Sequence, residues 1–432
     1  MFMKHSFLRC LEESGCASPK SGWVPQHIAV FRASTPLKNV SDDDDDLIAY
    51  VPMYVKSHSM GEFIFDNAFA DAAMRSGLDY YPKLLVAVPF TPATGSRILM
   101  NPKLIEGEGK NIRQEVCEYL RQITIGNGLS SLHFNFLTDE EATDIAGELD
   151  TEVEDSEETS YLRSIIGGAL SSSKNKFNFL RRTSVQYHWE NRRPSKDVAE
   201  ADGAKTEPFE DFDDYLSFFK SKKRINIKRE RRKIFDDEEI RVDAVRGKDI
   251  LKYEGLVERM FDIYLSTINK MYWGRQYLTL DFFKMLSESD FIDNLLFMCA
   301  RPSKCGDEIK AEDVFAGTFN IVNDGVFYGR YWGCLREVKN LHFEVCYWSA
   351  IEYCIDEGLS RMEPGAGGGD YKFARGFDPV LIHSSHFFSH PGLSSAVKQY
   401  IEMERQNNVG STEYLKARSR VGKGTLIKTP EE

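Results

Sequence analysis

Long apolar runs are missing from this 432-residue chain. None approaches the roughly 20 residues of a membrane-crossing helix, so no helical span is expected. Paired cysteines are missing too. The eight present (10, 16, 117, 299, 305, 334, 346, 354) are scattered without a Cys-x-x-Cys. That argues against a zinc ribbon or a disulfide framework, and for reduced thiols in a cytosol-like compartment. Residues 1–11 carry neither an apolar signal core nor an Arg/Ser-rich transit character, so no targeting segment is expected there. No Ser-His-Asp motif, Walker loop, His-Glu-x-x-His or GxGxxG is found. Excess positive charge is also lacking: the net charge of −12 disfavours a general nucleic-acid binder.

What is present suits a large soluble α/β protein. At roughly 150 residues per domain the length implies two or three domains. The 29 Phe and 19 Tyr can build substantial cores and line clefts. Strand patterns fit 27–31, 47–55, 61–66, 81–89, 131–137 and 177–187, with a helix over 115–124. After the polar, proline-bearing stretch 192–209, helices fit 209–233, 249–269, 281–288, 340–357 and 394–407. Strands there fit 291–300, 314–322, 325–333, 360–363 and 377–386. The domain reading is therefore 1–192, a linker 193–208, 209–410 and a polar tail 411–432. Asp42 to Asp46 reads as a solvated hairpin insertion with no metal role, and 148–158 as an acidic surface excursion.

The densest chemistry runs Tyr328-Gly-Arg-Tyr-Trp-Gly-Cys334, Leu341-His-Phe-Glu344, Glu363-Pro-Gly-Ala-Gly-Gly-Gly369 and Ala374-Arg-Gly-Phe377. It reads as strand, loop, amphipathic helix, strand, glycine loop and basic turn, the working order of many acyl-group transferases. His342 and Glu344 fall in the first helical turn as base candidates, although Glu344 also meets the plain preference for acids at helix starts. Arg330, Lys372 and Arg375 are cations for an oxyanion or a phosphate. The glycines let a backbone approach a ligand closely, or simply make a turn.

A basic helix follows the linker, with nine Lys or Arg between 220 and 233 and one acid, Glu230. It is either a solvated face or a cradle for the phosphates of a coenzyme, nucleotide or RNA, with Arg224, Asn226, Lys228 and Arg229 as contacts. Tyr187, His188, Trp189 and Asn191 either pack a domain interface or, with Tyr331 and Trp332, stack on and hydrogen-bond an acceptor. Lys56, His58, Glu62 and Asp66 form a polar stretch able to line a pocket or merely face water.

These residues resemble a known family. Y-G-R-Y-W-G-C, L-H-F-E, E-P-G-A and A-R-G-F are joined by H-S-F-L (5–8), G-W-x-P-Q-H (22–27), Y-V-K-S-H-S-x-G-E-F-x-F-D (54–66), Y-Y-P-K-L-L-V-A-V-P-F-T-P (80–92), S-V-Q-Y-H-W-E-N-R (184–192) and K-R-x-N-I-K-R-E-R-R-K (223–233). Together they are similar to the FemAB-like peptidoglycan biosynthesis/recognition family of the acyl-CoA N-acyltransferase (GNAT-like) superfamily, from residue 5 to about 405. The resemblance implies a mixed α/β fold of two tandem GNAT-like domains. It implies an N-acyl or aminoacyl transferase acting on an amine of a small molecule or peptide. The implied donor is an acyl-CoA or an aminoacyl-tRNA, with no tightly bound cofactor; tRNA would dock on the 220–233 helix. Glu344, His342 and Arg330 would be catalytic. Lys56, His58, Asp66 and the 187–191 cluster would hold the acceptor. The superfamily's pyrophosphate loop is missing, and 334–340 stands in its place. A cytoplasmic location is expected, or the plastid stroma should a transit peptide precede this stretch. The alternative is a recognition module binding a glycan, peptide or RNA without catalysis.

Overall fold

The computed structural model describes residues 1–32, 46–104, 108–147, 179–194, 206–270 and 274–419. Most of the carboxylate run at 42–46, the acidic stretch 148–158, most of the linker and the end of the polar tail lie outside the described residues. The chain divides into two compact units. One comprises Met1–Cys16, Val185–Val380 and the chain from Val409, and the other Ala17–Ser184 with Leu381–Asn408. They are called the first and second unit below. This division differs from a single cut at 193–208, because chain ends and strand halves are shared out between the units.

The second unit holds β1 (Trp23–Pro25), β2 (Ile28–Phe31), β3 (Leu47–Val51), β4 (Tyr54–Lys56), β5 (Lys83–Val86), β6 (Leu99–Met100) and β7 (Ser131–Leu137). β1–β4 and β4–β5 pair antiparallel and β5–β7 parallel, while β2, β3 and β6 make a smaller antiparallel sheet. The helix Glu108–Gly126 lays Val116, Cys117 and Leu120 on Leu84, Val86, Leu132 and Phe134. Two expectations are corrected here. Residues 47–55 form two strands, parted at Pro52-Met53, and 61–66 is a loop. The alternation in Gly61-Glu-Phe-Ile-Phe-Asp66 serves instead to bury Glu62, Ile64 and Asp66 from one side of that loop.

In the first unit follow β8 (Leu180–Glu190, from Val185 on), β9 (Arg193–Pro194), β10 (Thr206–Glu207), β11 (Ile240–Arg246), β12 (Leu295–Pro302), β13 (Ala316–Asn323), β14 (Val326–Cys334) and β15 (Arg361–Glu363). Last comes β16 (Asp378–Phe388), whose part beyond Leu381 pairs with β7 in the second unit. The first unit's sheet runs β8-β15-β14-β13-β12-β11, antiparallel except between β14 and β15. A parallel neighbour requires a crossover, and the helical stretch from Leu341 to Asp356 supplies it. Its apolar stripe (Val345, Trp348, Ile351, Cys354, Ile355) meets Trp189, Met298, Phe327 and Met362 on one sheet face. The opposite face carries Phe319 and Tyr331, against Phe283 and Tyr264 of the helices Leu280–Glu288 and Leu256–Lys270.

The single helix expected over 209–233 is two, Phe212–Ser217 and Ser221–Arg232. Phe209, Phe212, Tyr215 and Phe219 turn into the core, whereas Lys220 faces water, and the chain bends between them. The final helix extends further than expected, Pro391–Lys416.

Candidate functional site

A cavity of about 160 Å3 lies in the first unit where β14 leaves β15. The two strands pair only at Val326–Tyr328 against Arg361–Glu363. From Gly329 onward β14 keeps β13 on one side and has no strand on its other edge among the described residues. A bulge sits at this point. Asn320 faces Gly329 and Phe319 faces Tyr331, so Arg330 is the extra residue. Such bulges re-aim side chains and end pairing. Gly329 eases the close approach, since a Cβ there would meet Pro364 Cα at 3.3 Å and ask it to give by a few tenths of an ångström.

Thr318, Asn320 and Trp332 line the cavity from the sheet, and His342, Cys346 and Tyr347 from the helix. Pro364, Ala366, Tyr371 and Lys372 line it from the glycine loop and beyond. The helix is locally widened over Glu344–Trp348 into a π turn, an irregularity that recurs at functional sites.

Lys372 is only 1 % exposed and its Nζ donates to the Gly365 carbonyl at 2.7 Å. Burial pushes this ammonium down to about 8, while the Cys346 thiol acts weakly the other way. With Arg330 it gives the lining its positive charge. His342 is half-buried, with its ring centroid 5.3 Å from Trp332 and 5.2 Å from Phe343. Burial and then Arg375 lower its pKa, which leaves a neutral imidazole near pH 7. Burial raises the Cys346 thiol well above its ordinary value, so it is no thiolate nucleophile.

The cavity thus gathers His342, Lys372, Arg330, Tyr331 and Trp332, all expected from the sequence. Arg330 directs its guanidinium at the rings of Phe2 and Tyr331, each 5.6 Å away. Glu344 and Arg375 do not line the cavity. Glu344 is 1 % exposed, accepts from Arg231 Nε at 3.1 Å and Ser349 Oγ at 2.7 Å, and anchors the basic helix. Burial is the largest influence and raises its pKa, against the pull of Arg231. Arg375 lies over the Phe343 ring at 3.7 Å and donates to the Tyr371 carbonyl at 2.8 Å.

On the basic helix the expected phosphate contacts make local bonds. Arg224 reaches the Ser217 carbonyl at 3.3 Å, Arg229 reaches Asn226 at 3.2 Å, and Lys228 pairs with Asp213 at 2.7 Å. Lys228 and Arg229 remain exposed. In the 187–191 cluster, Trp189 is fully buried, stacked on Phe209 at 6.2 Å, and is core rather than a ligand platform. Asn191 bridges the Leu359 carbonyl and the Phe209 N–H at 2.9 and 3.0 Å, leaving its amide committed. The half-buried Tyr187 ring lies against Gly369, where a Cβ would come within 2.8 Å of it. His188 is buried beside Gln186 at 3.2 Å.

Lys56, His58 and Asp66 belong to the second unit. Lys56 is fully buried with Nζ 3.7 Å from the Trp23 ring centroid, and burial lowers its pKa to about 7. His58 Nδ1 accepts from the Met60 N–H at 3.2 Å. Asp66 accepts from Lys83 Nζ at 2.5 Å and Tyr80 O–H at 2.7 Å. Lys83 also reaches Glu62 at 2.9 Å, and Tyr80 leads to His133 at 3.4 Å and on to His386 at 2.6 Å. Reading the sequence for sites missed Lys83, Tyr80 and the two histidines. The alternation of Ser131-Leu-His-Phe-Asn135 was the available signal, because its polar members are as buried as its apolar ones.

The family described as FemAB-like, peptidoglycan biosynthesis/recognition, matches residues 1–421. Among solved structures, that of L-PGS from Bacillus licheniformis is similar at 10 % identity and a TM-score of 0.43, over 92 % of this chain and 97 % of that one. FemX is similar at 9 % identity and 0.42, over 92 % and 93 %. A tandem GNAT protein from the clavulanic acid biosynthesis pathway is similar at 10 % and 0.33, over 80 % of each chain. No curated protein matches.

Proposed function

Because the chain belongs to the FemAB-like peptidoglycan biosynthesis/recognition family, we propose that it transfers an acyl or aminoacyl group to an amine, with the donor carbonyl in the cavity beside β14. The observation that carries this reading is the meeting of Lys372 and His342, from the glycine-loop side and from the helix, on one cavity where β14 leaves β15. Transfer needs positive charge where the carbonyl oxygen becomes an oxyanion, and the buried Lys372 offers it. Transfer also needs a base, and of the two expected only His342 reaches the cavity. Glu344, held by Arg231, is a brace. Trp332, Tyr347 and Tyr371 enclose the acyl group. The exposed cations Lys228 and Arg229 would meet the phosphates of a tRNA or coenzyme donor.

The test is consumption of donor. The protein is incubated with a panel of acyl-CoAs and charged tRNAs, and loss of thioester or ester is followed with amine acceptors present. One donor should be consumed. Lys372→Met should lower its turnover by about 10²–10³-fold and His342→Ala by about 10²–10⁴-fold, with circular dichroism unchanged. Full turnover in both variants would remove this assignment.

A further inference from the structure

A second polar row crosses the same strands on the sheet's other face. Trp189, Met362 and Phe327 are register neighbours on β8, β15 and β14, and all three point into the core. Side chains alternate along a strand, so His188, Glu363 and Tyr328 share the opposite face. Glu363 immediately precedes Pro364 of the cavity lining, and its carboxylate is only 5 % exposed. One oxygen, Oε1, is held by Arg361 at 2.9 Å. The other, Oε2, is buried and among the described residues accepts no hydrogen bond; His188 Nε2 stands 3.9 Å away. His188 is no cation, because burial, Arg361 and Lys372 together push it down to about 3. A buried carboxylate oxygen without a donor costs free energy until one arrives. At the row's edge Tyr328 and Arg361 are half-exposed, with the Phe2 ring edge-on to Tyr328 at 5.0 Å.

We propose that Glu363 Oε2 is the docking point for a primary ammonium group, which on the acyl-transfer reading above is that of the acceptor. An ammonium must lose two protons to become an amide. The first passes from R–NH₃⁺ to the Glu363 carboxylate and frees the nitrogen lone pair. The second leaves as the carbon–nitrogen bond forms and the bond to the leaving group breaks, and passes to that group. The charged and titratable groups facing Glu363 are Arg361 on its own strand, His188 from β8 and Tyr328 from β14.

The test needs no donor. Native protein and Glu363→Gln are titrated at about pH 8 with n-butylammonium, and with tetramethylammonium, which has no N–H. Side-chain NMR shifts give the affinities, and circular dichroism confirms the fold. Saturable butylammonium binding by the native protein, weakened about tenfold or more in Glu363→Gln and absent for tetramethylammonium, is the expected result. Equal binding by the two proteins, or none by the native one, overturns the proposal whatever the donor panel yields. Where a donor is consumed, a second arm applies. Glu363→Gln should lose transfer to butylamine near pH 7 yet keep transfer to hydroxylamine, which is already unprotonated there. A parallel loss with both nucleophiles would mark Glu363 as merely structural and overturn its role as proton acceptor.

Discussion

Charged side chains removed from water give this protein its distinctive residues. Lys56, Lys83, Glu62, Asp66, Lys372 and Glu363 are all buried, which is expensive unless each finds a partner. Lys83 meets that demand with two carboxylates and Ser59. Glu62 meets it only in part, since among the described residues Oε1 has no donor, and burial raises its pKa to about 7. The consequence for stability has a definite sign. The folded pKa lies above the ordinary 4.5, so the folded state binds more protons in that window. Stability from this group is complete below about pH 4.5 and is lost as pH rises through 7. Glu62→Gln should remove that loss, by roughly 1–3 kcal/mol between pH 5 and 7. Denaturant melts followed by Trp23 fluorescence at the two pH values check it, and equal slopes for native and variant would refute it. Lys372 has the opposite character, an ammonium lowered by burial whose hydrogen-bond partner among the described residues is the Gly365 carbonyl.

At the scale of elements, the parting of β14 from β15 creates the cavity, and glycine makes it possible. Gly333 packs its backbone on the helix Leu256–Lys270 so closely that a Cβ would fall 1.7 Å from the Ile263 carbonyl oxygen. Neither partner is a flexible side-chain tip, so strand or helix must shift. Gly333→Ala should cost about 3 kcal/mol or more, read from urea denaturation, and should weaken donor turnover as β14 moves. A stability within about 0.5 kcal/mol of native would mean that the approach is looser than described. Element boundaries show how far the sequence could be followed. The strand–helix–strand–glycine-loop order was legible, because hydrophobic period and glycine clusters are local signals. The bulge at Arg330 was not, because an extra residue on one strand is defined only against its partner. Nor was the loop at 61–66, whose alternation mimics a strand while its carboxylates serve Lys83.

For the molecule as a whole, neither compact unit is one continuous stretch. The helix His5–Glu13 clusters with the first unit, where Phe7 meets Phe282 and Phe291 at 6.0 and 5.0 Å. Leu381–Asn408 clusters with the second, where Arg182 is held by Glu404 and lies over Phe69 at 5.0 Å. Fragments cut at the 193–208 linker would each lack part of a core. Expressed alone, 209–410 should therefore show neither a cooperative melt nor native-like amide dispersion, whereas its co-expression with 1–192 should restore both. A well-folded 209–410 fragment would contradict this. By itself the sequence determined the class of structure and the family, because apolar period, glycine spacing and long motifs are written in neighbouring residues. Only the tertiary structure decided which polar residues meet. It set Lys372 beside His342, spent Glu344 on Arg231, buried Trp189, and left one oxygen of Glu363 without a donor. Those outcomes depend on register and on where two strands part, and such distances between remote residues have no local trace.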